Sequence, residues 1–146
     1  MKYHSGVRPF FLEMIFVLLF LAVSCAAVLR LFSAAHAAAR RSAELNAAMV
    51  LAQSAAETVQ SAESPADLDR LFRGDRKTRK DGAVLYTAGF GENGSPSAGD
   101  AALRVEKSVR ASAAASGTML EAEITVFSAR DGTVLFTLNA EKYCPG

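Results

Sequence analysis

Pro9-Phe10-Phe11-Leu12-Glu13-Met14-Ile15-Phe16-Val17-Leu18-Leu19-Phe20-Leu21-Ala22-Val23-Ser24-Cys25-Ala26-Ala27-Val28-Leu29 decides how this chain is read. From Phe10 to Leu29 the only charged residue is Glu13. Twenty residues at about 1.5 Å rise make roughly 30 Å of helix, the thickness of a bilayer's hydrocarbon core. The stretch therefore predicts a transmembrane helix over 10–29. An ionised carboxylate at mid-bilayer costs at least about 2.5–3.5 kcal/mol, less near the edge, and such a residue usually has a partner. Glu13 needs either that partner or a route to water.

Residues 1–9 form a short cationic tail with Lys2, Arg8 and the terminal amine. Arg30, Arg40 and Arg41 follow the apolar run, so cations flank both of its ends. The shortness of the tail points to an N-terminus in the cytoplasm and a C-terminal domain outside, across a cytoplasmic (inner) membrane.

Beyond Leu29 the helical pattern continues over 30–62. Leu31, Ala35, Ala38, Ser42, Leu45, Met49, Ala52, Ala56 and Val59 recur at spacings of four and three, one stripe of an amphipathic helix. Arg40, Arg41, Glu44, Gln53, Glu57 and Gln60 lie largely off it.

A further domain, short helix plus strands, occupies 63–146. Ser64-Pro65-Ala66-Asp67 is a helix start, with a Ser N-cap, Pro at the first helical position and an acid in the first turn. Leu68, Leu71 and Phe72 follow, and Gly74 is a helix stop. The cationic cluster from Arg73 to Lys80 reads as a solvated loop, with contact to an anionic surface as the alternative, and Arg73-Gly74-Asp75 as a chance match to an adhesion tripeptide. After Asp81-Gly82 the period changes to two. Strands are predicted over Ala83–Gly89, around Leu103–Ala111, around Leu120–Phe127 and from Val134 to Leu138, with 90–100 an exposed loop and Asp131-Gly132 a hairpin turn. The expected fold class is α+β: a long N-terminal helix, transmembrane then amphipathic, packed through its Leu31-to-Val59 stripe on a small four-stranded antiparallel meander.

The composition narrows function. A net charge of +1 over 146 residues leaves no dominant basic face for nucleic acid. His4 and His36 are the only histidines, and no metal-ligand cluster, phosphate loop or nucleophile motif is present. Neither an enzyme nor a cofactor is expected. Cys25 in the apolar run and Cys144 near the C-terminus are not expected to pair.

The cationic tail, the run Pro9-Phe10-Phe11-Leu12-Glu13 opening an apolar helix, and the helix-then-meander order resemble the type IV pilin and pseudopilin superfamily. The resemblance aligns Glu13 with the family's glutamate at the fifth position of the mature chain. Pro9 then becomes the mature N-terminus and Arg8 the residue before the prepilin peptidase cut. The family has glycine where this chain has Arg8, and the nearest glycine is Gly6. Cleavage and N-methylation depend on that position, whereas the role of Glu13 does not. The resemblance implies a structural subunit of a type IV pilus or type II secretion-like system. It would pack with other pilin-like subunits and the assembly machinery through Phe10, Phe11 and Leu12, with Glu13 meeting a neighbour's amine.

Two other readings stay open. An uncleaved, bitopic scaffold protein of such a machine has the same layout. Leu21-Ala22-Val23-Ser24-Cys25 also fits a loose lipobox, which would make Cys25 a lipid attachment site.

Overall fold

The computed structural model describes residues 7–97 and 99–146. Lys2, His4 and Gly6 lie outside the described residues, and of Arg8 only the backbone is described. The chain divides into two compact units, 1–41 and 42–146. One helix, α1 (Val7–Ser61), supplies all the described structure of the first unit and enters the second. No glycine or proline interrupts it after Pro9. Pro9 itself falls in the first turn, where its missing N–H would have no partner anyway. The second unit thus begins inside the expected 30–62 helical segment.

Helix α1 ends where Ala62 N–H donates to the Val59 carbonyl (3.2 Å) and Ser61 Oγ to that of Thr58 (2.8 Å). A short helix, α2 (Asp67–Leu71), follows. The expected cap is corrected here: the N-cap is Ala66, without a side-chain bond, Pro65 precedes the helix, and the Ser64 N–H (3.1 Å) and Oγ (3.2 Å) donate instead to the Asp67 carboxylate. Five strands come next: β1 (Arg76–Lys80), β2 (Ala83–Phe90), β3 (Leu103–Ala114), β4 (Gly117–Ser128) and β5 (Val134–Pro145). They pair in chain order, each antiparallel to the next.

The fold class is α+β as expected, but with five strands instead of four. The extra strand is β1, in the segment read as a solvated loop. Its five residues are indeed all exposed, and a run of cations carries no period-two signal. The turn carried the signal instead. Asp81 (φ 50°) and Gly82 (φ 78°) are both left-handed, the two-residue geometry that folds a strand back on its neighbour. A short, charged strand is also what a sheet edge exposed to solvent tolerates.

Strands β3 to β5 outrun their expected ends. Ser112, Ala113 and Ala114 are too small to show alternation, yet they pair with Met119, Thr118 and Gly117. Between β4 and β5 the register shifts, so that Val126 faces Phe136 and Phe127 faces Val134, leaving Leu135 as the extra residue of a bulge.

One face of the sheet is the core. Leu103, Val105, Leu120, Ile124 and Val126 are each at most 1% exposed, and Val59 of α1 joins them. The expected helix stripe is corrected here. The buried side of α1 is Ala48, Ala52, Ala55, Ala56 and Val59, followed by Ala62, whereas Leu45 and Met49 stay 39% and 42% exposed. Leu31, Ala35 and Ala38 lie in the first unit and are exposed. A seam of single methyl groups is the lowest relief the helix offers, so it seats against a flat sheet better than a ridge of longer side chains.

At the β4–β5 end the backbones crowd. A Cβ at Gly117 would collide with the Cys144 carbonyl oxygen. Gly117→Ala should therefore destabilise the domain by about 1–3 kcal/mol, the usual range for overpacking, read as a lowered unfolding midpoint of the full chain in detergent. A midpoint equal to that of the parent would show that no such close approach exists.

Candidate functional site

The apolar half of α1 makes no use of the protein's own core. Every large hydrophobic residue from Phe10 to Phe32 is exposed, Phe20 and Phe32 by more than 70%. The helix is long and apolar enough to cross a membrane, and its most apolar window has no buried part. An apolar surface that encircles a helix cannot be left in water, whereas a helix with all its backbone bonds internal is one of the few structures lipid accepts.

Within this segment the structure places the expected residues as follows. Glu13 is exposed on α1, with Phe10 one turn before it and Phe16 and Val17 one turn after it. It has no ion-pair partner among the described residues, and these three neighbours offer no donor. Phe10 and Phe11 form an edge-on ring pair with centroids 6.3 Å apart. Leu12 is 58% exposed. The Arg8–Pro9 bond lies inside the first helical turn. Cys25 is a free, exposed thiol on the same helix, and Cys144, in the second unit, is a free, buried one. The four residues Phe10 to Glu13 occupy successive positions and so spread around one turn, which makes the turn as a whole, not one narrow face, the unit of contact.

Sequence reasoning missed a second constellation, at the corner where α2 meets β1–β3. Lys107 is 6% exposed, on the inner face of β3 between Val105 and Val109. Its ammonium donates to Asp75 Oδ2 at 2.6 Å and sits 4.3 Å above the centre of the Phe72 ring. Gly74, with φ +100°, makes the turn that brings Asp75 there. Beside it Asp69 accepts from Lys77 Nζ and from Tyr86 Oη, each at 2.6 Å, and the Phe72 and Tyr86 rings lie 5.1 Å apart. The bond from Lys77, then that from Tyr86, holds the Asp69 carboxyl below the ordinary carboxylate range. Desolvation, followed by the bond to Asp69, raises the Tyr86 phenol.

These donors and acceptors satisfy one another, so the cluster ties α2 to the sheet. The signal for it was present: Leu103, Val105 and Val109 alternate, and Lys107 occupies the inward slot between them. Its two acids, however, are brought close only by the tertiary fold. Among the described residues no three His, Cys, Asp or Glu side chains converge on a metal position.

A buried ammonium deprived of its carboxylate is expensive. Asp75→Ala should cost about 3–5 kcal/mol, while Asp75→Leu combined with Lys107→Met should recover most of that loss. Denaturant unfolding of the full chain in micelles reads both, and a single substitution within about 0.5 kcal/mol of the parent would refute a buried pair. No protein-family model matches this chain, and neither does any curated protein or solved structure.

Proposed function

We propose that this chain is a pilin-like structural subunit, a pseudopilin or minor pilin of a type IV pilus or type II secretion-like system. It resides in the cytoplasmic membrane with the N-terminus inside and the α+β domain outside. The observation that carries this reading is the solitary carboxylate of Glu13 on an unburied, unbroken apolar helix. In lipid or in a filament interior a monomer bears the desolvation cost of that charge, and a neighbour's cation relieves it. Assembly thereby becomes the step that satisfies Glu13, and the charge pair sets the register of one subunit against the next. Phe10, Phe11 and Leu12 supply the apolar contact around it. If a prepilin peptidase cuts before Pro9, the new terminal amine is the cation and the site of N-methylation.

An uncleaved scaffold subunit of the same kind of machine is the second reading. It is favoured by Arg8 in place of glycine and by a helix that already runs through the Arg8–Pro9 bond, since a bond inside a helical turn must unwind to enter a protease. The Arg8 guanidinium would then serve as the cation.

Two differently tagged full-length copies, co-expressed and solubilised in mild detergent, test the mechanism. Glu13→Leu should leave carbonate-resistant membrane insertion intact and lower co-purification of the second copy at least tenfold. Undiminished co-purification of the Glu13→Leu copies would sink the charge-pair mechanism. Intact-mass measurement separates the two readings. A chain beginning at Pro9 supports a processed pilin, and one beginning at Met1 supports the scaffold. A lipid-modified Cys25 at the N-terminus would displace both.

A further inference from the structure

β1 is an edge strand with one side unpaired. Its turn, Asp81-Gly82, makes Lys80 and Ala83 the closing pair of the hairpin, and in a two-residue turn that pair exchanges both of its hydrogen bonds. By alternation Arg76, Thr78 and Lys80 direct their N–H and C=O groups to β2, while those of Lys77 and Arg79 point away from the sheet. No backbone group of another segment meets them among the described residues. The edge therefore presents two strand-spaced pairs of main-chain donors and acceptors to solvent.

The same strand is strongly cationic. Of Arg73, Arg76, Lys77, Arg79 and Lys80, only Lys77 has an ion pair among the described residues, with Asp69. The nearby Asp75 is consumed by Lys107. Such an edge repels a second copy of itself, and by the same field attracts an acidic strand.

Lys77 and Arg79 stand on the core-side face, opposite Tyr86 and Val84 in register. There they rim a cavity of about 500 Å³ whose floor includes Val84, Val109 and Leu68. A strand paired on the outward groups of Lys77 and Arg79 would turn alternate side chains toward this apolar floor and the others toward Arg76 and Lys80.

We propose that the free edge of β1 takes an extended acidic segment of a partner protein, added as a sixth strand of the sheet. The segment alternates apolar and acidic residues, its apolar side chains over the cavity and its carboxylates beside Arg76 and Lys80. Strand addition of this kind takes affinity from the main chain and specificity from the alternating side chains. An anionic lipid surface would use the cations but not the outward pairs of backbone groups, so the peptide is the better match.

The test uses the full chain in phosphatidylcholine nanodiscs and fluorescent octapeptides. The probe is (Val-Glu)4, compared with (Val-Lys)4 and with (Val-Glu)4 N-methylated on the amides that would face β1. Expected are binding of the acidic peptide at least tenfold tighter than the basic one, and a loss of at least tenfold on N-methylation. The double substitution Arg76→Glu, Lys80→Glu should weaken binding at least tenfold with an unchanged circular dichroism spectrum. Arg79→Pro, which removes an outward N–H, should bind more weakly than Arg79→Ala. Equal binding of the N-methylated peptide, or indifference to the double charge reversal, would overturn the proposal. So would failure to bind the acidic peptide by a chain that associates with phosphatidylglycerol vesicles, which would assign the patch to lipid. The N-methylated peptide needs no protein variant, so misfolding of a substituted chain leaves the test intact.

Discussion

A helix whose apolar surface has no protein to cover it dominates this molecule. From Phe10 to Phe32 the side chains of α1 face outward on all sides, and water is the one environment in which that cannot persist. The helix is long and apolar enough to cross a membrane. In lipid a carboxylate such as Glu13 is costly in isolation and less so beside a partner.

Past Arg41 the same helix enters the second unit. Its alanine seam becomes part of a core built with Leu103, Val105, Leu120, Ile124 and Val126. The seam keeps Ala52, Ala56 and Val59 of the periodic stripe but takes Ala48 and Ala55 in place of Leu45 and Met49, because of what lies opposite. A sheet face already filled with branched side chains accommodates methyl groups more readily than Leu45 or Met49. The buried Lys107–Asp75 pair sits at the margin of that core, where the Phe72 ring lies under the ammonium and the turn after α2 supplies Asp75. Its strength comes from complete mutual satisfaction, since a half-satisfied pair at the same depth would be worse than none.

The edge of the sheet shows how one feature answers two requirements. Charge along β1 keeps identical chains from joining edge to edge, and the cations that do so give the edge a preference for acid. The open main-chain groups of Lys77 and Arg79 add a geometric demand that an unstructured counter-ion cloud does not meet.

From the amino-acid order alone came the apolar segment, its single carboxylate, the continuation of the helix, the alternation of three long strands and the α+β class, because each is a local pattern with a period of its own. The two-residue Asp81-Gly82 turn was equally local, yet β1 went unrecognised because its side chains are uniformly charged and show no alternation. Tertiary structure alone decided that Ala48 and Ala55, not Leu45 and Met49, complete the buried side of α1, and that Lys107 finds Asp75 while Lys77 and Tyr86 share Asp69. Those choices depend on groups distant in the chain competing for the same space and the same protons, and a one-dimensional pattern does not record that competition.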